Sequence, residues 1–353
     1  MKKSLICLSV LGLSATVHAQ SSVTLQGVVD VTMIRGTGSL SNRSQLGSGA
    51  NSTSKLIFRG TEDLGGGRSA FFHLESGMLA DSGVFQSSTT NNQTNGTGPA
   101  QAGGQGLTFN RRAVVGLVDS WGKLHIGREW SPMYDAYTGK FDPFAVVGVG
   151  AAINYAGGIT QANGAVRMSN DVAYITPKFF GGLTANIQHW FGENASGTAT
   201  SDDGTGNGIR FNYDRGPVGA VLHWGRTSYA AGDTVYRAAA VAYNFGPANA
   251  SVMYNSDSQG TLEKQGWLVG VRAPIGGNEV KGSYSVLTSN AAGEPGATKL
   301  ALGYIYNLSK RSAIYTTFAH LTNSGGSKLA LGGATTAANE SSNGFDLGIR
   351  HNF

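Results

Sequence analysis

The sequence predicts an all-β fold: a transmembrane antiparallel β-barrel of sixteen strands. Three observations carry that reading. Stretches of seven to twelve residues alternate apolar and polar side chains at period two. Short turns alternate with long polar connections between them. The chain ends on FDLGIRHNF (345–353), where Phe345, Leu347, Ile349, His351 and Phe353 share one side of a strand.

The first segment stands apart. Lys2 and Lys3 precede an apolar stretch from Leu5 to Val17, and Val17, His18 and Ala19 form a small-residue cleavage pattern. This reads as a signal peptide over 1–19, shorter than the roughly 20 residues of a spanning helix. Cys7 is the one cysteine, so residues 20–353, read as a single barrel domain, contain no thiol.

Strands follow in order. VTLQGVVDVTMI (23–34), KLIFRGT (55–61), RSAFFHLE (68–75), RAVVGLV (112–118) and LTANIQHWF (183–191) each present one apolar face. VGAVLHWGR (218–226), GWLVGVRA (266–273), EVKGSYSVL (279–287) and KLALGYIYNL (299–308) do the same before the closing segment. Seven short Gly, Pro, Asn and Asp connections separate them, such as TEDLGGG (61–67) and PIGGN (274–278). Eight longer ones centre near 45, 93, 150, 200, 230, 260, 293 and 332. Fifteen connections join sixteen strands, and an even strand number with turns of unequal length at the two ends marks an outer-membrane barrel.

Closure accounts for the chain end. A last strand paired with the first is bonded on both sides and leaves no open edge in the bilayer. VTLQGVVDV is the expected partner of FDLGIRHNF, with Phe353 at the interfacial aromatic level. Sixteen strands about 4.8 Å apart and tilted by about 40° give a tube about 32 Å across, too wide for side chains to fill. Period two places Asp30, Arg59, His73, Glu75, Arg112, His125, Arg210, Asp214, Arg272 and Lys281 on its inner face. Trp190, Trp224, Trp267, Tyr304 and Tyr306 take the lipid-facing parity. A polar inside and an apolar outside describe a water-filled channel.

Composition excludes other classes. Charged residues are 13% of the chain, and without Lys2 and Lys3 there are 24 basic against 21 acidic side chains, too mild an excess for a nucleic-acid binder. The longest later apolar run, FAVVGVGAAI (144–153), is too short to span as a helix. The histidines stand singly, and no H-E-x-x-H, G-x-S-x-G or phosphate-binding glycine loop occurs. His73 and Glu75 form one i, i+2 pair, short of the converging nucleophile, base and orienter that a hydrolase needs. SDDGTGNG (201–208) reads as a polar loop rather than a calcium site, and the Gly, Ser, Thr and Asn tract at 86–108 as a solvated connection. No cofactor or metal is expected.

VTLQGVVD (23–30), FRGTEDLGGG (58–67), FFHLESG (71–77), NRRAVVGLVDSWGKLHIGRE (110–129), ITPKFFGGLTANIQHW (175–190) and GIRHNF together resemble the trimeric general-diffusion porins of Gram-negative bacteria, betaproteobacterial type. The resemblance runs from residue 20 to the end. It implies a homotrimer among outer-membrane lipids and lipopolysaccharide, passing ions and small hydrophilic solutes. It also implies that the barrel-assembly machinery reads Phe353. The connection at about 129–170 becomes the third loop, folded into the lumen as a constriction.

Within that frame Arg59 and Arg112 are the wall cations, with His73, Glu75 and Arg210 also in the lumen. Asp135 and Asp142 are the loop's acids, facing the arginines; for Asp142 the alternative is turn initiation before Pro143. Arg128 has the parity of outward Leu124 and Ile126, so it reaches the lumen only through a bulge, or else meets an acid of a neighbouring subunit's second loop. Small outward residues, Ala113 and Gly27, leave room for subunits to pack side by side. Related porins often carry arginine before the tyrosine of the sixth strand, where Ala173 precedes Tyr174 here, and Arg167 lies near the loop. The basic cluster is then one charge short. Two unopposed arginines about 8 Å from an anion in water contribute roughly 1 kcal/mol, about fivefold before screening. The expectation is a weak to moderate anion preference. A substrate-specific porin, an outer-membrane hydrolase and a loop-mediated adhesin are the alternatives. An aromatic ladder along the lumen would mark the first, and loop deletion combined with conductance would separate the last.

Overall fold

The computed structural model describes residues 21–88, 92–93, 106–134, 137–138, 140–162 and 165–353. The expected leader at 1–19, Asp135 and much of the tract at 86–108 lie outside them. Among these residues eighteen strands form one sheet closed on itself. They are β1 (Ser22–Thr37), β2 (Arg43–Ser48), β3 (Lys55–Gly65), β4 (Arg68–Leu79), β5 (Val84–Phe85), β6 (Arg112–Asp119), β7 (Gly122–Trp130), β8 (Arg167–Ile175) and β9 (Leu183–Trp190). After them come β10 (Gly206–Arg215), β11 (Val218–Thr227), β12 (Thr234–Asn244), β13 (Asn249–Gln259), β14 (Leu262–Ile275), β15 (Asn278–Ser289), β16 (Gly296–Asn307), β17 (Ser312–Ser324) and β18 (Ser342–Asn352).

These make sixteen staves. β2 and β3 pair in succession with the two ends of β1, at Val31↔Ser48 to Gly36↔Arg43 and at Ser22↔Thr61 to Val28↔Lys55, so they are halves of one stave. Asp30 explains the break. Its fully buried carboxylate accepts N–H bonds from Asn51 at 3.0 Å and Ser52 at 2.6 Å and a bond from the Tyr315 hydroxyl, turning the chain between the halves. β5 only bridges the end of β4, through Met78↔Phe85.

The first and last strands meet as expected, from Val28↔Asn352 to Thr37↔Asn343. Gly27 and Phe353 then exchange both backbone bonds, at 3.0 and 3.1 Å. A Cβ at Gly27 would lie 2.4 Å from the Phe353 ring, so the absence of a side chain seats that ring. This corrects the expectation that Gly27 leaves room for a neighbouring subunit: the chain's own terminal ring fills the space.

Alternation sorts the faces. Val23, Leu25, Val29 and Met33 on β1, and Phe345, Leu347 and Ile349 on β18, are exposed, while Asp30, Thr32 and Asp346 between them are buried. The same holds around the ring, giving an apolar outer belt and a polar inner face. Trp224, Trp267, Tyr304 and Tyr306 are on the exposed belt. Trp190 is not: it is fully buried and packs with Met133, Ile159 and Ala165. It shares parity with buried Gln188 rather than with exposed Ile187, and this corrects its lipid-facing assignment.

Two connection expectations also change. RSQLGS, near the connection placed at 45, is ladder strand β2, and the connection placed at 260 is a two-residue turn between Gln259 and Leu262. Polar composition alone does not distinguish a loop from the solvated end of a strand.

Candidate functional site

The long connection between β7 and β8 is built from its apolar residues. Its described residues include two single-turn helices, α1 (Ile153–Ala156) and α2 (Ile159–Ala162). Tyr134, Tyr137, Phe141, Ala152 and Tyr155 pack with Val221, Ala238, Ala240, Ala242, Met253 and Leu268. Phe144, Val149 and Ile153 pack with Leu287, Ala297, Ala301, Ala319 and Leu321. All these strand residues lie on the polar-side parity, opposite the apolar belt. The wall positions it packs against are small: every second residue of β12 from Ala238 to Ala242 is alanine. Glycines mark the closest approaches. A Cβ at Gly208 would meet Pro132 at 2.6 Å, at Gly225 Met133 at 2.6 Å, at Gly270 Pro143 at 2.5 Å and at Gly303 Phe144 at 2.8 Å.

Hydrogen bonds fix the register of this packing. Val149 N–H donates to Asp346 at 2.9 Å, Ile153 N–H to the Ser285 hydroxyl at 3.0 Å, and Thr160 Oγ1 to Asp257 at 2.8 Å. Lys299, fully buried, donates through Nζ to the carbonyls of Val149, at 3.1 Å, and Ala151. Lys264 donates to the Gly157 carbonyl at 2.8 Å. Asp142 organises the connection itself. Its buried carboxylate accepts N–H bonds from Phe144 at 2.9 Å, Val146 at 3.0 Å and Ala152 at 3.2 Å. Burial pushes the Asp142 carboxyl above its ordinary value, against the pull of those N–H groups and of Lys299.

The staves β3 to β8 carry a different surface, dense in charge. Register sets Glu75 opposite Arg112 and Arg59 opposite His73. Glu75 is reached by Arg111 Nε at 2.5 Å, His73 Nε2 at 3.4 Å and Lys55 Nζ at 3.7 Å. Arg112 bonds Glu129 and lies 3.1 Å from His73 Nδ1, with its guanidinium 5.9 Å from the Trp130 ring centroid. His125 sits 3.6 Å from the same Glu129 carboxylate. Arg167, the first residue of β8, lies over the Tyr134 ring at 6.0 Å, which joins the charged wall to the edge of the connection. Glu75 thus pairs with two cations, Arg111 and Lys55, and Glu129 with Arg112.

The predicted residues therefore divide. His73, Glu75 and Arg112 come together in one network. Arg59 is exposed on the same face and its guanidinium donates to Gln26 at 3.0 Å. Arg210 is buried elsewhere, on β10 between Asn186 and His223 in register. Asp142 does not line an open surface opposite the arginines. Its turn-forming alternative is what the bonds describe, because three N–H groups within ten residues converge on one carboxylate.

Arg128 lies beside a bulge, where the ladder shifts between Gly127 and Glu129 and Asn170 takes φ 57°. Its guanidinium donates to the Asn110 carbonyl and the Ser169 hydroxyl, both at 2.6 Å, within its own chain. The sequence reading missed Arg111, Lys55 and Glu129. Arg111 precedes the strand, so its parity gives no facing. The signal available was the Arg111-Arg112 doublet, both members of which find carboxylates.

These features have known counterparts. The profile of Gram-negative porins matches residues 5–326. The chain is 35% identical over 376 residues to outer membrane porin protein 32 of Delftia acidovorans, covering 100% of both. The chain belongs to the Gram-negative porins. A second relative, an outer membrane porin of Bordetella pertussis, is 28% identical over 378 residues, covering 89% of this chain and 93% of that one. The solved structure described as an anion-selective porin from Comamonas acidovorans superposes with a TM-score of 0.80 at 32% identity, over 95% of this chain and 100% of that one. This porin is thus an outer-membrane barrel that passes solutes by diffusion, and not an enzyme.

Proposed function

We propose that the segment at 131–166 narrows the lumen of this porin, and that the wall of β3 to β8 gives the remaining passage an anion preference. The observation that carries this is the unequal treatment of the two sides of the barrel. The segment is seated chiefly on β11 to β17, while on the other side Lys55 and Arg111 pair with Glu75 and Arg112 with Glu129, with Arg59 and Arg167 on the same wall. Each unopposed cation about 8 Å from a passing anion contributes roughly 0.5 kcal/mol in water, reduced over a Debye length of about 10 Å. A several-fold bias follows. Arg167 makes good the charge missing at Ala173.

The same reading makes the functional unit a homotrimer set among outer-membrane lipids and lipopolysaccharide, with Phe353 read by the barrel-assembly machinery and residues 1–19 removed on export. The anion selectivity named for the Comamonas structure supports the sign of the bias. Reconstitution of the mature chain in a planar bilayer tests it. Conductance steps in groups of three and a reversal potential of anion-selective sign in a salt gradient are expected. A cation-selective reversal potential would refute the assignment of the charged wall.

A further inference from the structure

We propose that Asp214 is a specificity-determining residue: it holds Lys140, the cation of the 131–166 segment, in an ionic latch against the wall, and the open fraction of that latch sets how strongly the segment itself attracts anions. The proposal rests on the reading of 131–166 as the constriction. Lys140 is the one lysine or arginine between Ser131 and Val166. Its ammonium bonds Asp214 Oδ1 on β10, near the short turn to β11.

The wall is shaped for this reach. Asp214 has the inner parity of buried Arg210 on the same strand, and register sets it opposite Gly219 of β11. A Cβ at Gly219 would collide with the end of the Lys140 side chain. The missing side chain therefore gives the lysine stem a direct path over β11 to the carboxylate. Arg215, next in the chain, has the opposite parity and lies against Gly181 of the β8–β9 turn.

Exposure sets this tie apart. Asp142, Asp257, Asp346 and Lys299 hold the rest of the segment from buried positions, whereas the side chains of Lys140 and Asp214 are 42% and 55% exposed. Water and salt reach both partners, so the closed form is favoured by at most about fivefold, and by less as ionic strength rises. Closed, the two charges lie side by side at the wall and cancel for a passing ion. Open, the ammonium reaches into the passage on its four-carbon stem while the short aspartate stays at the wall. The nearer charge then dominates, and it is the cation.

The test uses the full mature porin and two independent readouts. The first is acetylation of Lys140 by a small water-soluble amine reagent, followed by mass spectrometry and referred to exposed Lys328. In wild type the rate at Lys140 should rise about threefold between about 0.1 M and 1 M salt, where the Debye length falls from about 10 to 3 Å. In Asp214→Asn it should be high at both. The second readout is the reversal potential in a planar bilayer. Asp214→Asn should raise the anion-to-cation permeability ratio about twofold, and Lys140→Gln should lower it by a similar factor. The exchanged pair, Lys140→Glu with Asp214→Lys, should also lower it, although the net charge is unchanged and a purely structural bridge would restore wild-type selectivity. Wild-type labelling in Asp214→Asn, or a salt-independent rate in wild type, would overturn the latch and leave the constriction reading intact. Latch-like labelling with wild-type selectivity in every variant would remove the segment from the ion path and overturn the constriction reading as well.

Discussion

The two sides of the barrel interior use the same strand geometry for opposite ends. On β10 to β17 many inward positions are alanine, glycine or serine, and the segment from the β7–β8 connection packs against them; on β3 to β8 arginine, lysine, histidine and glutamate cluster and interact with one another. The first side is packed at van der Waals distance and bonded through buried carboxylates and Lys299. The second is partly solvated. What separates them is side-chain volume: small residues create a seat, while long charged ones need water near their tips. On the proposed reading, the segment narrows the pore from one wall and the other wall sets its charge selectivity.

The largest effect expected from breaking this asymmetry comes from the seat. Gly270→Leu combined with Gly303→Leu drives side chains into Pro143 and Phe144, and overpacking at such contacts typically costs about 1–3 kcal/mol per site. Single-channel conductance should rise about twofold as the segment lifts, by the logic that it no longer fits its wall. An unchanged conductance in folded protein would show that the segment is not the constriction.

Next in size is the charged wall. Arg111→Ser with Arg112→Ser removes two cations, worth together roughly 1 kcal/mol to a passing anion, so the anion-to-cation permeability ratio should fall about fivefold. Conductance in high salt should barely move. A selectivity equal to wild type would place the conduction path away from this network.

The smallest effect is a pH dependence at Asp142. Burial raises its carboxyl value, so the seat is strongest below the ordinary carboxylate range and loses that contribution as pH rises through the raised value. Open-channel noise should therefore grow with rising pH in wild type and flatten in Asp142→Asn. Equal slopes in the two proteins would assign the noise to another group.

Much of the fold could be read from alternation, because a period-two pattern specifies a face without reference to any partner. That sufficed for the sixteen staves, the β1–β18 closure and the shared inner face of His73, Glu75 and Arg112. It failed where facing depends on register or on a third element. Trp190 reads as lipid-facing in the sequence because the residues that bury it, Met133, Ile159 and Ala165, lie 25 to 57 positions upstream in a connection. Asp142 reads as a pore charge until the N–H groups of Phe144, Val146 and Ala152 are folded around it. Glu129 ends a strand in the sequence, and only the β6–β7 pairing brings it to Arg112. Gly27 looks like empty space until Phe353, at the far end of the chain, is laid on it.

The glycines beneath the 131–166 segment have one more implication. Gly208, Gly225, Gly270 and Gly303 come from four different staves, far apart in sequence, yet each is shaped by one residue of a single stretch of chain. Wall and segment are therefore one inherited unit. Grafting 131–166 into another barrel would transplant a key without its lock, and a chimera would regain a narrow channel only if those four wall positions travelled with it.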